Sequence, residues 1–449
     1  MRPIGIDLFS GAGGLSLGFE QAGVDVRAAV ELDPIHAAVH KFNFPECGVI
    51  AKSVVGLSAR EVREAARLSD TDKISVVFGG PPCQGFSMIG HRALDDPRNR
   101  LVHEFVRLVA ELGADYFLFE NVKGLTVGRH RAFLDELVSA FDKVGYAATL
   151  PWQVLDAADY GVPQHRERLI LMGARKGLAL PSYPEPSTSP ADVTSNGRLP
   201  IGPTAKDALG DLPNADDFAK LAAGDKAKIK ASAYGQASAY ASALRGGAGH
   251  DWHYGVPRVW DPTLLTSSWQ TDHTEISRRR FAETPHGSTE PISRFYKLSP
   301  DGLSNTLRAG TDGARGAFTS PRPIHYKHAR CVTVREMARL HGFPDWFRFH
   351  WTKWHGARQI GNAVPPPLGR AAGSAIVAAM GIVPRPIDKP IALGDENLLY
   401  IEMAGAAEAF GVEAPVMRRD RQSGAKKRSQ AETEAARLQS VMEIGRAHV

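Results

Sequence analysis

The stretch "IGIDLFSGAGGLSLGFEQAG" (Ile4–Gly23) decides the fold. "IGIDLF" reads as a buried strand. The chain then turns through Gly11, Gly13 and Gly14, and "GLSLGFEQAG" follows as a helix ending at Gly23. Glycines at such a junction let the backbone turn tightly and let a ligand approach closely. The ligand would sit at the carboxyl end of the strand, beside the helix N-terminus. Nicotinamide enzymes use a similar loop, and a purely structural turn looks the same. The stretch therefore fixes the architecture before it fixes the chemistry.

The rhythm continues outward. "VDVRAAVEL" (Val24–Leu32) is a second strand, and "PIHAAVHKF" a helix opened by Pro34. "KISVVFGG" (Lys73–Gly80) and "DYFLFENV" (Asp115–Val122) read as strands, "LVHEFVRLVAEL" and "HRAFLDELVSAFDKVG" as helices. Strands alternating with helices of this length predict an α/β domain, a doubly wound, mostly parallel sheet. "PSYPEPSTSP" (Pro181–Pro190) reads as a linker. The stretch from there to about Arg330 is rich in Gly, Ala and Ser and lacks that rhythm, which predicts a second, smaller, irregular domain. Helical patterning returns at "TVREMARLHGF" and after Pro367. Beyond about Leu399 the chain is charged and poor in aromatics, and a solvated or disordered tail is expected. The closing "EIGRAHV" resembles a translated sequencing adapter, so the natural C-terminus is expected to differ.

Composition narrows the class. The 449 residues are 43% hydrophobic and 23% charged, as in ordinary globular proteins. A formal charge of +5 permits a polyanionic partner without requiring one. No apolar run is long enough to span a membrane, and no signal peptide is apparent. Cys47, Cys83 and Cys331 form no CxxC pair, no disulfide framework and no metal-ligand pattern. A reducing cytoplasm is the expected setting.

Four features carry chemistry. Glu31 ends the second strand, where an acid can hold both hydroxyls of a ribose or simply face solvent. Cys83, in "GGPPCQGFS" (Gly79–Ser87), follows a strand on the same carboxyl edge, in a turn stiffened by two prolines. A structural cysteine is expected within the strand instead. Glu120 ends the next strand on that edge. A carboxylate raises the pKa of a neighbouring thiol, so the acid makes sense if it serves the substrate, protonating a ring nitrogen while sulfur attacks the ring. In "QHRERL" (Gln164–Leu169), Arg166 and Arg168 share one face of an extended chain and could hold a phosphate or a carbonyl oxygen. A solvated strand end is the bland alternative.

In order, the blocks "DLFSGAGGLSLGF", "GGPPCQGFS", "ENVKGL", "QHRERL", "VREMARLHGFP" and "QIGNAVPPPLG" resemble the DNA (cytosine-5) methyltransferases, most strongly the bacterial restriction–modification type. They bracket residues 4 to about 380. The resemblance implies a Rossmann-like adenosylmethionine-dependent methyltransferase fold. The catalytic domain would be discontinuous (1–185 and 331–385), with a target-recognition domain at 186–330 and a tail at 386–449. It implies that Cys83 attacks C6 of a flipped-out cytosine, that Glu120 bonds N3 and the exocyclic amine, that Arg168 contacts the carbonyl and that Arg166 supports the site. C5 then takes the methyl group of S-adenosyl-L-methionine. The stretch after Ser87, "GHRALDDPRNR", resembles the family's mobile DNA-closing loop.

For the cofactor, the resemblance implies Phe9, Gly11, Ala12, Gly13, Gly14, Glu31, Leu32, Ser53, Val54, Pro82, Leu101, Asn362 and Val364. Ser53 departs from the family's aspartate, and weaker cofactor binding is one expected consequence. For double-stranded DNA it implies Gln84, Ser87, Gln164, Thr306, Leu307 and Arg308. Arginines 278–280, Arg315 and Arg322 are candidate groove or phosphate contacts. A bacterial, nucleoid-associated monomer is expected, with a separate cognate endonuclease as a possible partner. The alternatives are a related tRNA methyltransferase, a catalytically silent DNA-binding protein and a nicotinamide dehydrogenase; the last gives no role to the Pro-Pro-Cys turn.

Overall fold

The computed structural model describes residues 2–82, 99–126, 131–193, 197–246, 253–311 and 320–414. The central sheet contains β1 (Ile4–Leu8), β2 (Asp25–Val30), β3 (Gly48–Ile50), β4 (Val76–Gly79), β5 (Tyr116–Val122), β6 (Tyr146–Ala148), β7 (Gln153–Asp156) and β8 (Glu167–Arg175). Their order is β3-β2-β1-β4-β5-β8-β6, with β7 also on β8. The first five pair in parallel. β8 runs antiparallel to β5, β6 and β7. The order reverses direction between β1 and β4, and in open α/β sheets ligands bind at the carboxyl ends beside such a switch.

Helices α1 (Gly14–Gln21), α2 (Pro34–Asn43), α3 (Ala59–Ala65), α4 (Arg100–Glu111) and α5 (Arg131–Lys143) alternate with these strands. Their starts are chemically encoded. Asp33 accepts from the amides of Ile35 and His36 ahead of Pro34, and Ser58 and Glu61 form a capping box on α3. Side-chain alternation in the strands divides the core between two faces. Ile6, Leu8, Val77, Phe117 and Phe119 pack with residues of α3, α4 and α5. Val76, Phe78, Leu118, Ile170 and Met172 pack on the opposite face with α1 and with the helix Pro366–Ala379 from the far end of the chain. Each fully buried Phe or Leu contributes about 1.5–3 kcal/mol.

The irregular region holds α6 (Ala205–Leu209), α7 (Lys220–Ala223), α8 (Ala239–Gly246) and α9 (Glu275–Glu283). After it come α10 (Val334–Leu340), α11 (Lys353–Asn362), α12 (Pro366–Ala379) and α13 (Met403–Ala409). Gly18 of α1 meets Gly369 so closely that a Cβ there would lie 2.7 Å from the α12 backbone. The irregular region shares its main core: Ala205, Ala208, Leu298 and Leu307 cluster with Val332, Met337, Phe343 and Ile360. The presumed linker is tied down, since Tyr183 donates its hydroxyl to the carbonyls of Thr149 and Ile170. Packed structure also continues past Leu399. Ile391–Ala392 pairs with Arg258–Val259, α13 packs on α2, and Leu399 is buried beside Ala12, Val39 and Phe42. The short apolar cluster around Leu399 outweighs the charged composition that follows it.

Candidate active site

The glycine loop is held in conformations that side chains resist. Gly11 and Gly13 have φ of 55° and 103°, in the left-handed region that glycine adopts without strain. Phe9 shares it at 66°, a cost tolerated where the surroundings fix the backbone. A Cβ on Gly14 would lie 2.5 Å from the carbonyl oxygen of Val364, so the segment before α12 closes directly on the loop. The space around Gly11 is open.

Beside this opening, the Glu31 carboxylate accepts from the amides of Gly11 (2.8 Å) and Asp33 (2.9 Å), one on each oxygen. Each oxygen keeps a free lone pair for a hydroxyl. Burial pushes the Glu31 pKa up, and His36 and the two amides act against it. Leu32 presents an apolar side chain that is 63% exposed. Open backbone, paired acceptors and an exposed apolar edge fit a nucleoside cofactor. Ser53 is half-buried, and its hydroxyl accepts from the Val55 amide at 3.1 Å. Asn362 and Pro82 are exposed, and Leu101 is half-buried. Ala12, Val54 and Val364 are buried. The Val54 side chain belongs to the core with Leu57 and Val62.

The second half of the site lies across β5 and β8. Glu120 is paired in register with Ile170, and Arg168 sits two residues from Ile170. Such diagonal neighbours share a sheet face, and Arg168 Nε lies 2.7 Å from Glu120 Oε1. Burial pushes the Glu120 pKa up, opposed by Arg168 and then Arg166. A carboxyl that holds its proton more tightly, beside a guanidinium, can donate to a ring nitrogen while the guanidinium binds a carbonyl. The turn after β4 packs against this pair. A Cβ on Gly80 would lie 2.3 Å from Glu120 Oε2, and Asn121 Nδ2 donates to the Pro81 carbonyl at 3.1 Å. Cys83, Gln84 and Ser87 lie outside the described residues, two to six positions beyond Pro81.

Arg166 has a different environment from Arg168. It is 1% exposed and donates to the carbonyls of Leu307 (2.9 Å) and Gly361 (2.7 Å). Burial holds its pKa well below the usual value. The two arginines thus divide their work: one faces the acid, and the other joins three chain segments.

Several expected DNA contacts are corrected. Gln164 is fully buried and holds the Leu307 amide through Oε1 at 2.9 Å. Leu307 is 2% exposed and belongs to the core. Neither side chain faces a duplex: the polar-strand signal of "QHRERL" and the Thr-Leu pair marked an internal seam. Arg322 is buried and bonded to Val332 and Thr271. Arg278 pairs with Asp216 at 3.0 Å. Thr306, Arg308 and Arg279 are exposed; Thr306 Oγ1 donates to the His165 carbonyl at 2.8 Å. Arg315 lies outside the described residues.

One cluster was not anticipated. Asp7, in the middle of an apolar strand, accepts from the Ser16 hydroxyl at 2.5 Å, and that hydroxyl lies 3.0 Å from His40 Nε2. Burial pushes Asp7 up to about 8 and His40 down to about 3, so both are neutral near pH 7. The one signal was an acid among apolar neighbours in "IGIDLF". Among the described residues no cluster could hold a metal ion, and no helix is long and apolar enough to cross a membrane.

Known proteins resemble this chain. The chain is 57% identical over 418 residues to the Type II methyltransferase M.XorII of Xanthomonas oryzae pv. oryzae, covering 93% of this chain and 95% of that protein. It is 32% identical to the Type II methyltransferase M1.HphI of Haemophilus parahaemolyticus, over 83% and 86% of the two chains. A crystal structure described as a prophage-encoded DNA modification methyltransferase of E. coli superposes with a TM-score of 0.65 at 33% identity, covering 85% of this chain and all of the other. The model of the C-5 cytosine-specific DNA methylases matches residues 4–378, and the chain belongs to that family.

Proposed function

We propose that this DNA cytosine-5 methyltransferase uses S-adenosyl-L-methionine and a covalent Cys83 adduct, and that it modifies a specific duplex sequence as the protective partner of a restriction endonuclease. The Type II names of its relatives support the last point. The observation that carries the chemistry is the Glu120–Arg168 pair at 2.7 Å, set against the Pro81 turn on the same sheet edge as the glycine loop. A base stacked in a duplex is out of reach, so the target cytosine is extruded into this edge.

Arg168 donates to the cytosine carbonyl, and Glu120 gives its proton to N3 as the Cys83 thiolate bonds to C6. The electron pair of the C5–C6 double bond is thereby released toward C5, making that carbon nucleophilic. When bound, S-adenosyl-L-methionine supplies an electrophilic methyl group. Loss of the C5 proton to solvent then expels the Cys83 thiolate, and N3 returns its proton to Glu120, which restores neutral cytosine and the acid. Glu31 and the loop from Phe9 to Gly14 hold the nucleoside end, with Leu32 against the base. Residues 1–185 and 331–385 act as the catalytic unit and 186–330 as the recognition unit, with exposed Thr306 and Arg308 at its junction with the site.

Labelled methyl transfer to unmethylated duplex DNA tests the reading. Wild type transfers label into cytosine and Cys83→Ser does not; equal labelling by both overturns the mechanism. Bisulfite sequencing of DNA from expressing cells then gives the recognition sequence.

A further inference from the structure

Between the recognition segment and the glycine loop runs a line of hydrogen bonds whose direction is set at both ends by backbone groups. The Leu307 amide can only donate, so the atom it meets at 2.9 Å is the Gln164 oxygen. That leaves Gln164 Nε2 to donate, and it lies 2.9 Å from His341 Nδ1 and 3.3 Å from the Leu340 carbonyl. At the far end the Ala363 carbonyl can only accept, so His341 Nε2, 3.1 Å away, carries the proton. His341 is therefore a neutral imidazole with Nδ1 as its acceptor, and burial beside Arg166 and Arg168 holds it in that form. Gln164 and His341 are both 0% exposed.

The line ends where the cofactor loop is most constrained. Ala363 is followed by Val364, whose carbonyl presses on Gly14, and Phe343, stacked on His341, also closes on Gly14. Arg166 runs in parallel, from the Leu307 carbonyl to the Gly361 carbonyl. The residue whose amide and carbonyl are both held, Leu307, lies between exposed Thr306 and exposed Arg308. A shift of that segment is transmitted through buried polar groups already committed to these partners.

We propose that Gln164 and His341 are positioning residues, a buried relay through which the Thr306–Arg308 segment and the Gly14 loop set each other's placement, so that duplex DNA and the nucleoside cofactor bind cooperatively. This rests on the reading of the two sites given above. Coupling of this kind is reciprocal and is read as a ratio of affinities.

The test measures S-adenosylhomocysteine affinity by calorimetry, with and without saturating unmethylated plasmid DNA. Wild type is expected to bind it at least about fivefold more tightly with DNA present. In His341→Phe, which keeps the ring volume and removes both hydrogen bonds, the ratio is expected to fall to about one, and in His341→Gln to recover. A merely structural role would weaken both affinities together and leave the ratio alone. An unchanged ratio in His341→Phe, or a ratio of one in wild type, overturns the relay. If His341→Phe loses its cooperative thermal transition, Gln164→Glu carries the same test, because it keeps the acceptor for Leu307 and loses the donor to His341. A wild-type protein that binds no S-adenosylhomocysteine and transfers no methyl group overturns the proposed function instead, so the two failures are distinguishable.

Discussion

The two halves of the active site are built by different physics. On the β1–α1–β2 side, neighbouring parallel strands deliver a loop shaped by backbone geometry: positive φ at Gly11 and Gly13, and a Gly14 that has room for hydrogen alone. On the β5–β8 side, an antiparallel pair brings an acid and a guanidinium together in a buried place, and no unusual backbone is needed. The first half tolerates no added volume, and the second tolerates no lost charge or donor.

The largest effect expected from separating the halves is at Glu120. Glu120→Gln keeps the shape and removes the transferable proton, and methyl transfer should fall on the order of 10²–10⁴-fold. Cofactor affinity measured by calorimetry should stay within about twofold, and a parallel loss of affinity would show that the halves are not separate. Gly14→Val is the converse case. Its Cβ meets backbone rather than a movable side chain, so a stability loss of about 1–3 kcal/mol is expected in urea titrations. Its cofactor affinity should suffer first.

The two arginines sharpen the contrast within one strand. Arg166→Lys cannot reach both carbonyls and should cost about 1–3 kcal/mol of stability. Arg168→Lys should lower methyl transfer while leaving the urea midpoint nearly unchanged, because it keeps a positive charge beside Glu120. Equal destabilisation by the two substitutions would erase the distinction.

The smallest expected effect belongs beneath the glycine loop. Asp7 keeps its proton in the folded state to about pH 8 and loses it near pH 4 when unfolded. Between those values the folded state binds more protons, so stability falls as pH rises. Asp7→Asn removes this dependence. Its stability advantage over wild type should grow by up to about 1.4 kcal/mol from pH 6 to pH 7, as read by urea denaturation at each pH. A constant difference would mean that Asp7 is ionised in the fold.

How much of this was legible in the chain differs by residue. The strand–glycine–helix junction at Ile4–Gly23, the Pro34 helix start and the strand that carries Glu120 are local patterns, and each element lies where its periodicity put it. Gln164 and Leu307 were expected at DNA because the family resemblance put them there, and only the fold shows both side chains buried, with Gln164 on the Leu307 amide. The buried Leu399 cluster escaped notice because composition averages over a window while packing acts on single side chains.

The sequence alone determined the α/β rhythm, the glycine loop and the family, because periodicity, turn chemistry and block order are written along the chain. It also placed Glu120 near the carboxyl end of its strand. Only the tertiary structure decided that β8 runs antiparallel to β5, and that is what carries Arg168, at the start of its own strand, to the carboxyl end of the other. It also decided that Val364, 350 residues after Gly14, closes on that glycine. Strand direction and long-range closure depend on which surfaces bury each other best, a property of the packed whole that no local spacing encodes.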